Sequence, residues 1–289
     1  MSRSLDSSTR SPDSSGPLGL IAGNGRFPFL VLDAARAKGE RVVVAAIKEE
    51  TEPEITDRAA HDSEIRLHWL SLGELSKLID TFQKEGVARA IMAGQVKHKQ
   101  IFSSIRPDWR LAKLLLSLGT RNTDSLLGAV TKILADEGIT MLSSTSYLEP
   151  LLAREGVLTR RAPNEAELKN IDYGRRVARE LAQHDIGQTV VIAESACVAV
   201  EAMEGTDEML RRASSLVNGK TLVLAKVGTR RRHLLFDVPV VGIHTIDVMR
   251  ETGTTALAVD AGRTLLLDRA EMIQIADEAK ISMVGYEPQ

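Results

Sequence analysis

Acidic side chains within otherwise apolar segments are the residues of this chain best suited to chemistry. Glu201 lies in the apolar segment 196–202, which we predict to be a strand, and Asp207 follows close behind it. Asp237 lies in the apolar stretch 236–242. A buried carboxylate needs a cation or hydrogen-bond donors, and Mg²⁺ prefers oxygen ligands. We therefore consider Glu201 as a metal ligand. Asp237 either takes part in chemistry in such surroundings or is a turn residue bonded to the backbone.

The segment after 202 also predicts the start of a helix. Thr206 suits the N-cap position, and acidic residues at 207 and 208 suit the first turn.

A glycine-rich turn follows the first apolar run of the chain. Gly23, Asn24 and Gly25 stand between a predicted strand and a predicted helix, where backbone N–H groups and the helix dipole favour a phosphate. The segment does not fit the dinucleotide fingerprint, because Pro28 occupies the position of the third glycine. A tight turn without a ligand is the alternative.

Two further segments carry basic groups that suit a diphosphate. Lys97 follows Gly94, at the carboxyl end of a predicted strand, where open α/β sheets bind their ligands. Arg160 and Arg161 precede a predicted helix, and arginine forms bidentate contacts with phosphate. Solvated surface loops remain the alternative for both segments.

Composition excludes several classes of protein. The net charge of −2 lacks the positive excess of nucleic-acid-binding proteins, and 3% aromatic residues offer few rings for stacking on bases. Cys197 is the single cysteine, which excludes an intramolecular disulfide and a Cys-based zinc cluster. The apolar runs are far shorter than the about 20 residues of a membrane-spanning helix.

Alternating apolar runs and helical patterns predict an α/β protein. Strands are expected at 18–22, 41–47 and 88–92, with a helix at 72–84 between the last two. This alternation favours a parallel sheet covered on both faces. After a break near Glu149, the second half is predicted to be mixed α/β (α+β).

The organisation along the chain is predicted as a tail and two domains. The serine-rich residues 1–15 suggest a disordered tail and lack the apolar core of a secretory signal, so a cytoplasmic location is expected. The parallel-sheet domain is expected over 16–147, and the mixed domain over 151–289.

Eight segments in order resemble one family. They are Gly19–Gly25, Met92–Lys97, Arg106–Trp109, Gly156–Pro163, Gly187–Gln188, Val200–Asp207, Phe236–Pro239 and Ala261–Asp268. On these segments the chain resembles the LpxI-type UDP-2,3-diacylglucosamine diphosphatases, over nearly its whole length after residue 17.

The resemblance implies a reaction and an architecture. The family hydrolyses the diphosphate of UDP-2,3-diacylglucosamine to UMP and 2,3-diacylglucosamine 1-phosphate (lipid X), an early step of lipid A synthesis, with a divalent cation such as Mg²⁺. It has a Rossmann-like N-terminal domain and a catalytic C-terminal domain, with the substrate between them. The aspartate of its Phe-Asp-x-Pro segment matters for catalysis, and here that residue is Asp237. We expect Asp237 to ligate the metal or to orient the water, with Glu201 and Asp207 as secondary candidates for the metal.

The resemblance also implies contacts with the substrate and the membrane. We expect Gln188, Thr206, Lys226 and Arg263 to contact substrate or phosphate. Because the substrate is a lipid, transient contact with the inner membrane surface is expected, with the basic, leucine-rich helix 109–118 as a docking element and an ordinary packed helix as the alternative. A homodimer is left open.

One loop departs from the family pattern and motivates a second hypothesis. The family has a pattern close to Lys-x-x-Lys-Pro-x-Gln-Asp-x-Arg-Phe-Asp, of which this chain keeps Lys226, Phe236 and Asp237. Three arginines at 230–232 keep positive charge in the loop, but His233 replaces a carboxylate. This loop suggests a non-catalytic binder of the same UDP-lipid as the alternative, and the first glycine turn alone suggests an unrelated nucleotide-dependent oxidoreductase.

Overall fold

The apolar runs form buried strands in a computed structural model of the chain. The structure describes residues 16–96, 107–117, 123–184, 186–228 and 238–288. The chain divides into two compact units, Met1–Leu142 and Ser143–Gln289.

The first unit alternates strands and helices as the sequence predicts. Its elements are β1 (Leu18–Ala22), α1 (Phe27–Ala37), β2 (Val42–Ile47), α2 (Glu54–His61), β3 (Ile65–Leu70), α3 (Leu75–Lys84), β4 (Arg89–Ala93), α4 (Trp109–Ser117), α5 (Thr123–Asp136) and β5 (Thr140–Met141). The strand order is β3-β2-β1-β4-β5, and the paired strands are parallel. All residues of β2 are buried, as expected of a strand covered on both faces. The order reverses between β1 and β4, and doubly wound sheets bind ligands at such a point.

The second unit contains a mixed sheet. Its elements are a 3₁₀ turn (Glu149–Leu151), β6 (Gly156–Val157), α6 (Glu165–Gln183), β7 (Thr189–Ala193), β8 (Ala196–Val200), α7 (Thr206–Leu216), β9 (Leu222–Lys226), β10 (Val240–Val241), α8 (Ile243–Glu251), β11 (Thr254–Asp260), β12 (Leu265–Leu266), α9 (Arg269–Glu278) and β13 (Ser282–Tyr286). The strand order is β6-β13-β11-β9-β7-β8, and β10 pairs with β12 in a small separate sheet. Strands β9, β11 and β13 are parallel, whereas β6, β7 and β8 pair antiparallel. The predicted mixed α/β class is therefore confirmed.

Helices cover both faces of this mixed sheet. Apolar residues of α7, α8 and α9, such as Leu210, Met249 and Met272, pack with one face of the sheet. Helix α6 packs on the other face through Ile171, Ala178 and Ala182. The central strands β7, β9 and β11 are thus covered on both faces, and Lys226 and Asp260 stand at the ends of β9 and β11.

The boundaries of two predicted features are wrong. The predicted strand 196–202 ends at Val200, so Glu201 is the first residue beyond β8. The N-cap of α7 is Gly205, at φ 84°, a left-handed conformation that favours glycine. Thr206 is the first helical residue, and its hydroxyl donates to a carboxylate instead of capping the helix.

Candidate functional site

The glycine turn of the first unit is bonded to the loop after β4. The N–H group of Gly23 donates to the carbonyl of Ala93 at 2.8 Å, and that of Asn24 to the carbonyl of Gln95 at 2.7 Å. A Cβ on Gly23 would lie 2.6 Å from the carbonyl oxygen of Gln95, so the close approach requires glycine. Two N–H groups of the turn are therefore bonded within the protein, and phosphate binding by Gly23, Asn24 and Gly25 stays a prediction.

Polar residues of the second unit converge at the carboxyl ends of β9, β11 and β13, which we call the carboxyl edge. Lys226 ends β9 and pairs with Thr189, the first residue of β7, because these two strands are antiparallel. The N–H of Glu201 donates to the carbonyl of Thr189 at 2.9 Å, and the N–H of Val227 to the carbonyl of Gln188 at 2.9 Å. Four predicted site residues thus meet here: Gln188, Glu201, Thr206 and Lys226.

Lys226 is buried within a network of side chains. Its Nζ donates to Thr206 Oγ1 at 2.9 Å and to Thr189 Oγ1 at 3.2 Å. The hydroxyl of Thr206 donates to Glu201 Oε1 at 2.6 Å, and Lys226 Nζ lies 3.8 Å from Glu201 Oε2. The Lys226 side chain is only 7% exposed, and that of Glu201 is 12% exposed. The ammonium and the carboxylate therefore compensate each other away from water.

Acceptors near Lys226 remain available. Glu201 Oε2 and Gln188 Oε1 are both buried and have no hydrogen-bond partner among the described residues. An ammonium has three N–H donors, of which the two threonines use two. The two threonines thus leave one lysine donor, and Glu201 Oε2, at 3.8 Å from Nζ, is the acceptor that the structure places beside it.

These residues fit a divalent cation only in part. Hard carboxylate oxygens suit Mg²⁺, and Glu201 Oε2 is such an oxygen. However, Lys226 already compensates the charge of Glu201. The need to compensate that charge was the reason to expect a metal ion beside Glu201. In the described ranges, no three His, Cys, Asp or Glu side chains come together in a group that could hold a metal ion.

Asp207 lies in the first turn of α7 and faces the start of α8. Its Oδ1 accepts a hydrogen bond from Thr245 Oγ1 at 3.3 Å, and its Oδ2 lies 3.4 Å from His244 Nε2. The side chain of Asp207 is 30% exposed. Its carboxylate thus joins two helix starts, and its role as a metal ligand stays a prediction.

The two arginines before α6 have different surroundings. All the N–H groups of Arg161 face protein acceptors: the carboxylate of Glu167 and the carbonyls of Ala162, Thr255 and Lys280. Arg160 is exposed and lies 3.4 Å from Asp277 Oδ2. For Arg161 this geometry favours the alternative of a loop residue that binds no phosphate. Arg160 remains accessible to a ligand.

The carboxylate of Glu167 binds the guanidinium of Arg161 and thereby fixes its position. Glu167 is the N3 residue of α6 and forms a capping box with Asn164, the arrangement that satisfies the first N–H groups of a helix. Burial raises the pKa of this carboxyl, but hydrogen bonds from Arg161, Thr255 and Asn164 outweigh burial and leave the pKa below its usual value.

Arg263 lies next to Gly228, two residues beyond β9. A Cβ on Gly228 would lie 3.6 Å from Cβ and Cδ of Arg263 and 3.8 Å from Cγ of Pro239. Arg263 is therefore beside the carboxyl edge, as a phosphate-binding residue there must be. Asp237, Lys97 and the three arginines at 230–232 lie outside the described residues.

Sequence reasoning missed four residues at this edge. Thr189 bonds Lys226, and Asp260, Arg175 and Arg179 form a buried charged cluster. Asp260 follows the apolar run 256–259, the same signal that drew attention to Glu201. The arginines carry no such signal, because basic residues on a helix are usually solvated.

The fold and this edge define a two-unit α/β protein with polar side chains gathered where parallel strands end. The chain belongs to the LpxI family: the model of the LpxI N-terminal domain matches residues 17–151, and that of the LpxI C-terminal domain matches residues 154–284. The UDP-2,3-diacylglucosamine pyrophosphatase LpxI of Caulobacter vibrioides is 31% identical over 282 residues, which cover 94% of this chain and 98% of that protein. The resemblance seen in the sequence is confirmed.

Proposed function

We propose that this protein hydrolyses the diphosphate of UDP-2,3-diacylglucosamine, giving UMP and 2,3-diacylglucosamine 1-phosphate. The similarity to a pyrophosphatase of that name carries the proposal, because it extends over both family domains and nearly the full length of both chains. The substrate would lie between the two domains, as the resemblance implies.

The chemistry requires positive charge and an activated water. Water adds to a phosphorus atom and the bond to the bridging oxygen breaks, so negative charge grows on the leaving phosphate. Lys226 and Arg263 lie at the carboxyl edge and would stabilise that charge. Thr206 and Glu201 hold the ammonium of Lys226 in place, which keeps its orientation fixed before the substrate arrives.

We also propose a divalent cation such as Mg²⁺. Asp237 would either hold this cation, with Glu201 or Asp207 as secondary ligands, or orient the attacking water. A bound Mg²⁺ would supply charge stabilisation for the diphosphate and a more acidic water. Mg²⁺ keeps several waters and needs only one or two carboxylates, which is consistent with the few acidic groups at this edge.

The reaction is tested by incubating the full chain with UDP-2,3-diacylglucosamine, with Mg²⁺ or with excess EDTA, and measuring UMP. We expect UMP release with Mg²⁺ and its loss with EDTA, restored by added Mg²⁺. Binding of the UDP-lipid without UMP release would instead identify a non-catalytic binder and point to the changed loop 228–235. Equal release in EDTA would reject the cation.

Contact with a membrane surface is the second part of the proposal. Among the described residues, none of the helices has both the length and the apolar character needed to cross a bilayer. Each acyl CH₂ withdrawn from a bilayer costs about 0.8 kcal/mol, so the protein must approach the lipid surface. Helix α4 exposes Trp109 by 67% and Leu116 by 82%, with exposed Lys113 between them. Residues at this spacing share one helix face.

Replacing Trp109 and Leu116 together by Ala is expected to weaken co-sedimentation with vesicles that contain anionic lipid. The exposed aromatic and leucine would insert at the interface, and Lys113 would meet anionic headgroups. The control is Met203→Ala with Leu216→Ala, since these side chains are exposed by 78% and 60% in the second unit. Unchanged sedimentation of the α4 variant would reject docking through this face.

A further inference from the structure

A buried charged cluster lies at the carboxyl edge, beside the network of Lys226. It consists of Asp260 at the end of β11, Arg175 and Arg179 on α6, and Tyr286 at the end of β13; we call it the Asp260 cluster. The side chain of Asp260 is 2% exposed, and the two arginines are 8% and 10% exposed. Such burial of charge is costly unless the groups are well compensated.

The two oxygens of Asp260 have different neighbours. Oδ2 accepts a hydrogen bond from the backbone N–H of Gly228 at 3.0 Å. Oδ1 faces the guanidinium groups of Arg175 and Arg179 at 3.8 and 3.9 Å, too far for hydrogen bonds. The short contact of this carboxylate is therefore with the backbone, while the arginines supply charge from a greater distance.

Other contacts fix Arg175 itself. Its guanidinium lies 4.2 Å from the ring centre of Tyr286 and donates to the carbonyl of Glu287 at 2.9 Å. Burial, and then the neighbouring Arg179, lower the pKa of Arg175, against the opposing effect of Asp260. Helix α6, β11 and β13 are thus joined around one carboxylate.

The position of Gly228 gives this arrangement its significance. Gly228 follows β9 two residues after Lys226, it approaches Arg263 and Pro239, and along the chain it precedes Asp237. A buried ion cluster adds little stability over apolar residues of similar volume, so stability alone does not account for a carboxylate here. Fixing the backbone beside Lys226 and Arg263 does.

We propose that Asp260 is a positioning residue for the diphosphatase reaction: it holds the N–H of Gly228, and Arg175 and Arg179 orient its carboxylate. The inference rests on the proposed function. Catalytic groups misplaced by about 1 Å can lose about 100-fold in rate. Loss of the Gly228 contact is therefore expected to reduce kcat much more than it changes KM.

The test compares Asp260→Ala with Asp260→Asn, because Asn keeps an oxygen acceptor for the Gly228 N–H and Ala does not. Asp260→Ala is expected to reduce kcat by about 100-fold, with KM for the UDP-lipid changed less than about 3-fold because the contact acts on the chemical step. Asn should restore most of the lost kcat. Hydrogen exchange of the Gly228 amide should accelerate in the Ala variant and much less in the Asn variant.

Two further variants separate positioning from general destabilisation. Asp62→Ala is the matched control, because Asp62 accepts the Glu64 N–H at 3.0 Å and pairs with Arg36 at 2.7 Å in the first unit; its kcat should stay unchanged. If Asp260→Ala does not fold, the combination Arg175→Met, Arg179→Met and Asp260→Leu replaces the ions with apolar groups of similar volume. That variant should fold and still lose kcat.

The outcomes are distinct. Unchanged exchange at Gly228 in a folded variant that lacks the carboxylate overturns the proposed anchor, and faster exchange with unchanged kcat overturns the positioning role. Absence of UMP release from the unmodified chain rejects the proposed function instead. In that case the exchange measurement still decides whether Asp260 fixes Gly228.

Discussion

The variant Lys226→Met is expected to lose about 3–5 kcal/mol of unfolding free energy, the usual result of breaking a buried ion pair from one side. Glu201 would keep its bond from Thr206 but lose the cation 3.8 Å from Oε2. Thr189 and Thr206 would also lose a donor. Urea denaturation followed by circular dichroism measures the loss, because the two tryptophans, Trp69 and Trp109, report only on the first unit.

A double variant tests whether the cost comes from the uncompensated carboxylate. The double variant Lys226→Met, Glu201→Gln removes both charges. Its loss of unfolding free energy should be about 0.5–3 kcal/mol smaller than the sum of the losses of the two single variants. Lys220→Met is the matched control, because Lys220 pairs with Glu194 on the surface, where the two side chains are 52% and 67% exposed. That exposed pair should contribute no more than about 1 kcal/mol. Equal losses at 220 and 226 would contradict the buried network.

Lys226→Met should also reduce turnover, but that effect alone would not distinguish the two possible roles of Lys226. Direct contact with phosphate and support of Thr206 and Glu201 both predict a slower reaction. The variant Thr206→Val separates them, because it removes the hydroxyl that links Lys226 to Glu201 and keeps the ammonium. A larger loss in Lys226→Met than in Thr206→Val indicates that the ammonium itself meets the substrate.

The sheets were predictable because burial leaves a simple pattern in sequence. All of β2 and β9 are buried, and such strands show as continuous apolar runs. Helix α2 was missed because Ile55 is its single buried residue in the described structure, so it has no apolar stripe. Strand β13 was missed because Ser282 and Gly285 interrupt its apolar run.

The candidate site was only partly predictable, because its assembly depends on strand order. Glu201 and Lys226 were each singled out, but their proximity follows from the antiparallel pairing of β7 with both β8 and β9. The two-residue connection at 194–195 indicates a hairpin of β7 with β8, but no spacing along the chain indicates the pairing of β7 with β9. Likewise, the position of Arg161 before a helix suggests a phosphate contact, whereas its bonds to Glu167 and Thr255 depend on tertiary contacts that the sequence does not indicate.

The largest effect on activity is expected from Asp237→Asn. Asn has nearly the same shape as Asp but carries no charge, so the change removes the carboxylate that we propose ligates the cation or orients the attacking water. Loss of a group that manages protons in the reaction typically costs about 10²–10⁴-fold. The measurement is UMP release at saturating Mg²⁺, with circular dichroism to verify folding.

Asp172→Asn is the control for Asp237→Asn, because Asp172 is 69% exposed on α6 and pairs with Arg176. It makes the same chemical change on a solvated helix face, where an isolated ion pair contributes little, and its turnover should equal that of the unmodified chain.

A Mg²⁺ titration then distinguishes the two proposed roles of Asp237. If Asp237→Asn regains rate at higher Mg²⁺, the carboxylate acts mainly as a ligand, whereas a loss independent of Mg²⁺ indicates that it orients the water. Turnover at the unmodified rate would remove Asp237 from the mechanism and leave Lys226, Arg263 and Glu201 as the groups to be tested at the carboxyl edge.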